Sequence, residues 1–217
     1  MNLAETTFWV KELFPGTPEI DNRTVTIAGS GRHGQDHDSD PFDLAVFSLY
    51  DDTSDRRSEK AAVTLSLGAV DCGLVGENNT DIRVEVFSVG YADFDIEDFV
   101  LRTAATIAED AAALSPIPGR VIADVVQDAS ASTKHALCVV PYVWPEGVPN
   151  MAEKADEVSL HEHDSESPAG RMTTMTQLVA ITDAELEFYG EQGPGPLMEK
   201  LAGADADLRD FNRASVV

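Results

Sequence analysis

The most informative hydrophobic pattern lies late in the chain, where Thr174 to Ile181 mixes β-branched and apolar residues and sets Leu178, Val179, Ala180 and Ile181 in succession. Such a run suits a strand covered on both faces. A helix start follows at once. The Thr182 hydroxyl can accept from the backbone N–H three residues on, Glu185 can reach back to the N–H of Thr182, and Ile181 can pack onto Leu186. Gly190 and Gly193 end this helix, and Pro196 is well placed to open a second short one carrying Leu197, Met198 and Leu201. The last third therefore predicts strand, helix, kink and helix, the helical part covering 183 to 202.

Upstream, Phe8, Trp9, Leu13 and Phe14 fall at near-helical spacing and Pro15-Gly16 stops the pattern, which predicts an amphipathic helix over 3 to 14. Strands are predicted over Asn22 to Ala28, Phe42 to Tyr50, Ala61 to Leu67 and the alternating Ile82 to Val89, separated by the polar run Gly29 to Pro41 and the charged stretch Asp51 to Lys60. From Asp95 to Leu114 the period changes. Ile96, Phe99, Val100, Ala104, Ile107, Ala108 and Ala111 mark one face of the longest helix, over 95 to 114. Arg120 to Val126 and Ala136 to Val143 read as strands, and Trp144-Pro145 closes the second. Trp144 is a packing residue or an exposed anchor for a partner, packing being the stronger reading. Glu146 to Gly170 is polar, acidic and without period, which predicts a mobile loop or insertion. The order of elements predicts an α+β class with a mixed, mainly antiparallel central sheet of about six strands flanked by helices.

The chain has 217 residues, 43% of them apolar, enough for one sizeable core, so 1–217 is expected to be a single domain with 146–170 as a loop or insertion within it. Charge changes the picture most. Lys+Arg total 15 against Asp+Glu 39, a formal net charge of −24, which repels phosphate backbones and anionic lipid and so argues against direct nucleic-acid binding and against membrane association. Acidity of this kind serves solubility or salt adaptation, or shapes a surface to meet a basic protein. The N-terminal residues lack the basic start and apolar run of a signal peptide, and no stretch has the roughly 20 apolar residues of a span, so a cytoplasmic protein is expected. Cys72 and Cys138 sit in apolar or small-residue runs and are expected as buried thiols. In a cytoplasm the sequons at Asn22 and Asn78 are incidental.

Candidate chemistry is sparse. Gly29-Ser30-Gly31-Arg32-His33-Gly34 matches a dinucleotide fingerprint after a strand, but Gln35 to Pro41 is a poor helix and the phosphate-binding N-terminus is missing. The same loop holds His33, Asp36, His37, Asp38 and Asp40, and residues 161 to 164 read His-Glu-His-Asp. Imidazoles and carboxylates together can bind a divalent metal. As a calcium loop the first cluster fails, since Pro41 falls where glycine is needed and Phe47 where the bidentate glutamate belongs. No nucleophile elbow is present, and His135, three residues before Cys138, would point to the opposite face of a strand.

Several segments in order resemble the suppressor-of-fused domain family, in its single-domain bacterial type. They are Phe42-Asp43-Leu44-Ala45-Val46-Phe47, Val84-Glu85-Val86-Phe87-Ser88-Val89-Gly90, Pro118-Gly119-Arg120-Val121-Ile122, Leu137-Cys138-Val139-Val140-Pro141, and the closing run from Gln177 to Glu187 followed by Asp207-Leu208-Arg209. The similarity spans about residues 22 to 213. The resemblance implies a non-enzymatic, protein-binding domain without cofactor, metal or catalytic residues. In animals such a domain, with a further C-terminal domain, sequesters a transcription factor, and single-domain bacterial relatives have been proposed as immunity proteins against polymorphic toxins. No partner-binding residue is transferred from the family to this chain. Three functional classes stand beside one another. One is a binding module that sequesters or inhibits a protein partner, for which a basic toxin is one candidate. The others are a metal-dependent enzyme using the loop 33–40, and a structural subunit without a dedicated partner.

Overall fold

A computed structural model of the chain describes residues 1–27, 37–49, 58–154 and 170–217. Among these residues four helices are present, α1 (Leu3–Leu13), α2 (Ile96–Glu109), α3 (Asp183–Gln192) and α4 (Pro194–Gly203). The strands are β1 (Glu19–Arg23), β2 (Thr26–Ile27), β3 (His37–Asp38), β4 (Phe42–Leu49), β5 (Glu59–Thr64), β6 (Leu74–Val75), β7 (Asp81–Tyr91), β8 (Val121–Ile122), β9 (Thr133–Val139), β10 (Asn150–Lys154) and β11 (Gly170–Thr182). Nine of them form one sheet in the order β1-β4-β5-β7-β11-β9-β8, with β6 added beside β7 and β10 beside β11, while β2 and β3 pair separately. The pairing of β7 with β11 is parallel and the other pairings are antiparallel, so the class is α+β with a mixed, mainly antiparallel sheet, as the element order predicts.

The two longest strands, β7 with 11 residues and β11 with 13, form the centre of the sheet. Both are largely buried on both faces, which explains the near-continuous apolar run Leu178 to Ile181 of β11, whereas β7 alternates and buries polar side chains such as Glu85 and Ser88. Alternation then sorts the side chains into two layers. Phe42, Leu44, Val84, Val86, Ala136, Cys138, Leu178 and Ala180 meet the apolar stripe of α2, including Ile96, Phe99, Val100 and Ile107. On the opposite face, Ala45, Phe47, Phe87 and Met175 meet Trp9, Val10 and Phe14 of the α1 segment, and Leu137, Val139, Val179 and Ile181 meet Leu197 and Leu201 of α4. Trp144 packs here, edge-on to Phe14 at 5.4 Å between ring centroids and with its indole N–H on the Leu13 carbonyl.

Local sequence explains where helices begin. Asn2 and Glu5 form a capping box on α1, the Asp95 side chain accepts from the Asp98 N–H ahead of α2, and Thr182 with Glu185 form the expected box on α3. Glu185 does more than cap. It is fully buried and accepts from the N–H of Thr182, from both terminal nitrogens of Arg213 at 2.6 and 2.7 Å, and from the N–H of Val216. Arg213 also donates to the Ala180 carbonyl at 3.0 Å. Burial pushes the Glu185 carboxyl up, but Arg213 and the backbone donors outweigh it and hold the group below its ordinary value. The segment after α4 is thereby fastened across the sheet. Phe211 stacks on Phe94 at 3.9 Å and meets Phe99 edge-on, and its ring passes so close to Gly90 that a Cβ there would lie 3.0 Å from it.

Several boundaries differ from the sequence reading. The strand expected over Asn22 to Ala28 is divided between β1, which takes Asn22 and Arg23, and β2, which takes Thr26 and Ile27; they pair with different partners, and Ala28 lies outside the described residues. The helix expected over 95 to 114 ends at Glu109, although Ala111 and Leu114 still pack on the core. Arg120 to Val126 contributes only the two residues of β8, and the strand over Ala136 to Val143 stops at Val139. Gly190 lies inside α3, and α4 opens at Pro194 rather than Pro196. Within 146–170, Asn150–Lys154 is a strand paired with β11, and 155–169 lie outside the described residues. The sheet has nine strands rather than about six, and the two without a counterpart in the sequence reading, β6 and β10, are short or polar and leave no periodic signal.

Replacing Arg213 with methionine leaves the Glu185 carboxylate buried without its counter-ion. Urea unfolding of Arg213→Met should show a loss of about 3–5 kcal/mol, whereas a loss under about 1 kcal/mol would mean that the pair does not hold the C-terminal segment.

Candidate functional site

Most of the groups expected from the sequence to carry chemistry are either outside the described residues or engaged structurally, and Asp40 is exposed. The glycines 29–34, His33, Asp36 and residues 161–164 lie outside the described residues. Asp38 accepts from the Thr26 hydroxyl at 2.9 Å, and the backbone of His37 and Asp38 pairs with β2. Among the described residues no group of three or more His, Cys, Asp and Glu side chains is placed to hold a metal ion. His135 lies on β9 facing away from Cys138. Its Nδ1 accepts the Asp124 N–H at 2.9 Å and its Nε2 is 2.9 Å from Asp183 Oδ1, so the ring ties β9 to the start of α3. Cys138 is enclosed against α2, and burial pushes its thiol up to about 12; Cys72 is also buried and also raised by burial. Neither is a thiolate near neutral pH.

The closing arginine of the sequence signature is a fastening. Arg209 donates to Asp207 at 2.8 and 3.1 Å and to Glu59 at 2.7 Å, and lies over the Tyr91 ring, whose hydroxyl donates to Asp207 at 2.6 Å. The Arg209 hydrogen bonds hold the Asp207 carboxyl down at about 2. A surface hollow of about 550 Å³ beside it is lined by Tyr142 and residues 205–209.

One buried acid escaped sequence reading. Glu85, 1% exposed, points from the centre of β7 toward the α1 layer. It accepts from the Thr64 hydroxyl, from the Leu67 N–H at 3.1 Å and from the Gly68 N–H at 3.0 Å, which ties the short turn Leu67–Ala69 to the sheet. Gly68 is required by this approach, because a Cβ there would lie 2.9 Å from Glu85 Oε1. Burial exceeds the effect of these donors and raises the carboxyl to about 7. A cavity of about 180 Å³ beside it is bounded by Asn2, Thr6, Ser66 and Thr173. Among the described residues no second carboxylate or imidazole lines that cavity. Its signal in the sequence was weak, since Ile82 to Val89 alternates whether the second face meets water or a helix.

The surface feature with the geometry of a binding site is the groove between α1 and β10. Its volume is about 530 Å³, and its lining comprises Met1, Ala4, Glu5, Phe8, Trp9, Met151, Ala152 and Glu153. The helical period creates it. Trp9 and Val10 point into the core, which turns Phe8 outward to 68% exposure, and Met151 faces it at 40% exposure. Glu5 caps the helix at one side, and Glu153 at the other contacts the Met1 ammonium. Apolar side chains with a carboxylate on each flank suit a protein segment better than a polar small molecule.

No family model and no curated protein matches the chain. Among solved structures it is similar to a protein described as a suppressor-of-fused homologue from Neisseria gonorrhoeae, with 18% identity, a TM-score of 0.56, and coverage of 98% of this chain and 96% of that one. It is also similar to a chain of the Sufu–Fu complex, with 13% identity, a TM-score of 0.59, and coverage of 99% and 91%. Drosophila Suppressor of Fused matches at 12% identity and a TM-score of 0.50, over 82% of this chain and 43% of that longer one. The chain thus has the suppressor-of-fused fold.

Because the folded carboxyl of Glu85 binds its proton more tightly than the unfolded one, its contribution to stability is full below about pH 4.5 and is lost as pH rises through about 7. Wild-type stability followed by urea unfolding should therefore fall from pH 5 to pH 8 relative to Glu85→Gln, by on the order of 3 kcal/mol at most. Parallel pH profiles for the two proteins would show that Glu85 does not titrate in this window.

Proposed function

We propose that this chain is a protein-binding domain, without catalytic chemistry of its own, that sequesters or inhibits a protein partner. A basic toxin held in an inactive complex is the form of that role that best matches its charge. The observation that carries the reading is the exposed Phe8–Met151 groove with Glu5 and Glu153 at its flanks, on a chain of net charge −24. Large exposed apolar side chains around a concavity are costly to maintain unless a partner covers them. A strongly acidic surface steers a basic partner onto itself and repels nucleic acid and anionic lipid.

The fold supports the same reading, since a protein of this fold occurs in a complex with Fu. The two layers of core share β7 and β11, which favours a single domain over 1–217. Among the described residues no helix is long and apolar enough to cross a membrane, which is compatible with action in the cytoplasm.

Tagged wild-type protein and Phe8→Ser should be used to capture proteins from lysate of the source organism at roughly 50 and 300 mM salt. The expected result is one basic protein, retained stoichiometrically by the wild type, less at the higher salt and not by Phe8→Ser, whose activity falls as the purified chain is added. Retention of no protein at either salt would refute sequestration.

A further inference from the structure

We infer that the groove takes an extended basic and apolar segment of the partner, which adds as a strand to the outer edge of β10 and sets apolar side chains against Phe8 and Met151. This rests on the protein-binding reading and supplies its mode and ligand class. Three observations converge on it.

The first is the state of β10. Among the described residues it pairs with β11 alone, over Asn150 to Lys154, so its other edge presents backbone N–H and C=O groups without a strand partner. Five residues offer a row of roughly 17 Å, sufficient for a short added strand.

The second is the position of the groove. Met151 pairs with Thr173, whose side chain is buried beside Glu85 on the α1 side of the sheet, so Met151 and Glu153 share that side and Ala152 faces away. Yet Met151, Ala152 and Glu153 all line the groove. The groove thus follows β10 over three successive residues, next to its unpaired edge. Phe8 lines the same groove from the α1 side, and alternate side chains of an added strand would rise toward it. A helix laid in the same place would leave the β10 edge groups unpaired, whereas a strand satisfies them.

The third is charge. The apolar lining of Ala4, Phe8, Trp9 and Met151 is bounded by the Glu5 carboxylate and by the ion pair of Glu153 with the Met1 ammonium, on a chain with 39 acidic and 15 basic residues. A segment with alternating apolar residues between lysines or arginines complements this arrangement, and an acidic one is repelled. A second copy of this chain would bring the same net charge of −24 to the contact, which disfavours it as the occupant.

The test uses the full chain and a labelled nine-residue peptide, Lys-Lys-Val-Thr-Leu-Thr-Val-Lys-Lys, followed by fluorescence anisotropy. A version with glutamate for each lysine is the charge control. Two further versions carry N-methyl groups on the Val and Leu amides or on the Thr amides, the alternate sets that face opposite edges of a strand. The basic peptide should bind at least about tenfold more tightly than the acidic one, and one of the two N-methyl patterns should weaken it about tenfold while the other has little effect. Phe8→Ser and Met151→Ser should each weaken binding several-fold without changing the melting temperature, as both side chains are exposed. Any of four results would overturn the proposal: no binding of the basic peptide at about 1 mM, equal affinity for the acidic peptide, indifference to both N-methyl patterns, or a dimer in light scattering that Phe8→Ser dissolves. Lysate capture that persists while the peptide fails would leave sequestration standing on another surface. Peptide binding without lysate capture would keep the strand-addition site and remove sequestration.

Discussion

The Glu185 carboxylate is the joint on which the remaining architecture turns. It lies at the end of the central strand β11, at the first turn of α3 and beneath the C-terminal segment, and it accepts from the backbone of Thr182 and Val216 and from the Arg213 guanidinium. A charge without accessible surface is tolerated only while all its donors remain in place. The strand end, the helix start and the last residues of the chain are consequently one cooperative unit. From this joint the C-terminal segment reaches back over β7, where Phe211 fills the space between Phe94 and Phe99 and Arg209 clasps Tyr91, Asp207 and Glu59.

Several described residues of the kinds that usually perform chemistry are committed to such joints. His135 spans β9 and α3, Cys138 is sealed against α2, Glu85 anchors a turn, and Arg209 ties down the tail. Around α1 and β10, the groups facing water include carboxylates, Lys11 and a few apolar side chains, Phe8 and Met151 among them. This division explains why the molecule reads as a surface with a preferred partner chemistry. Its perturbed groups, Glu85 and Asp207 among them, owe their shifts to structural networks, a common source of such shifts outside active sites.

The elements with strong local signals were legible in the sequence. Thr182 and Glu185 three residues apart wrote the start of α3 in advance, the stripe from Ile96 to Ile107 wrote α2, and the unbroken run Leu178 to Ile181 wrote a strand covered on both sides. The family resemblance pointed to the fold that the solved structures establish. The groove was not legible. Its floor is built by a five-residue strand, Asn150–Lys154, with no apolar alternation, and by the outward turn of Phe8, which the sequence assigned to an amphipathic helix without saying which aromatic would be left over. Nor was the partner of Glu185, because the sequence supplies the capping box but gives no indication that an arginine 28 residues later would close it. Long-range pairing of this kind depends on topology that local pattern does not carry.

The parallel union of β7 and β11 carries a consequence for biogenesis. Arg171 joins Asp81, 90 residues earlier, and the two strands are the widest part of the sheet. During synthesis at about 5–20 residues per second, β7 leaves the ribosome several seconds before the strand that will cover its flank exists. In that interval a long apolar edge stands open to self-association. The excess of carboxylates opposes that association by keeping unfinished copies apart.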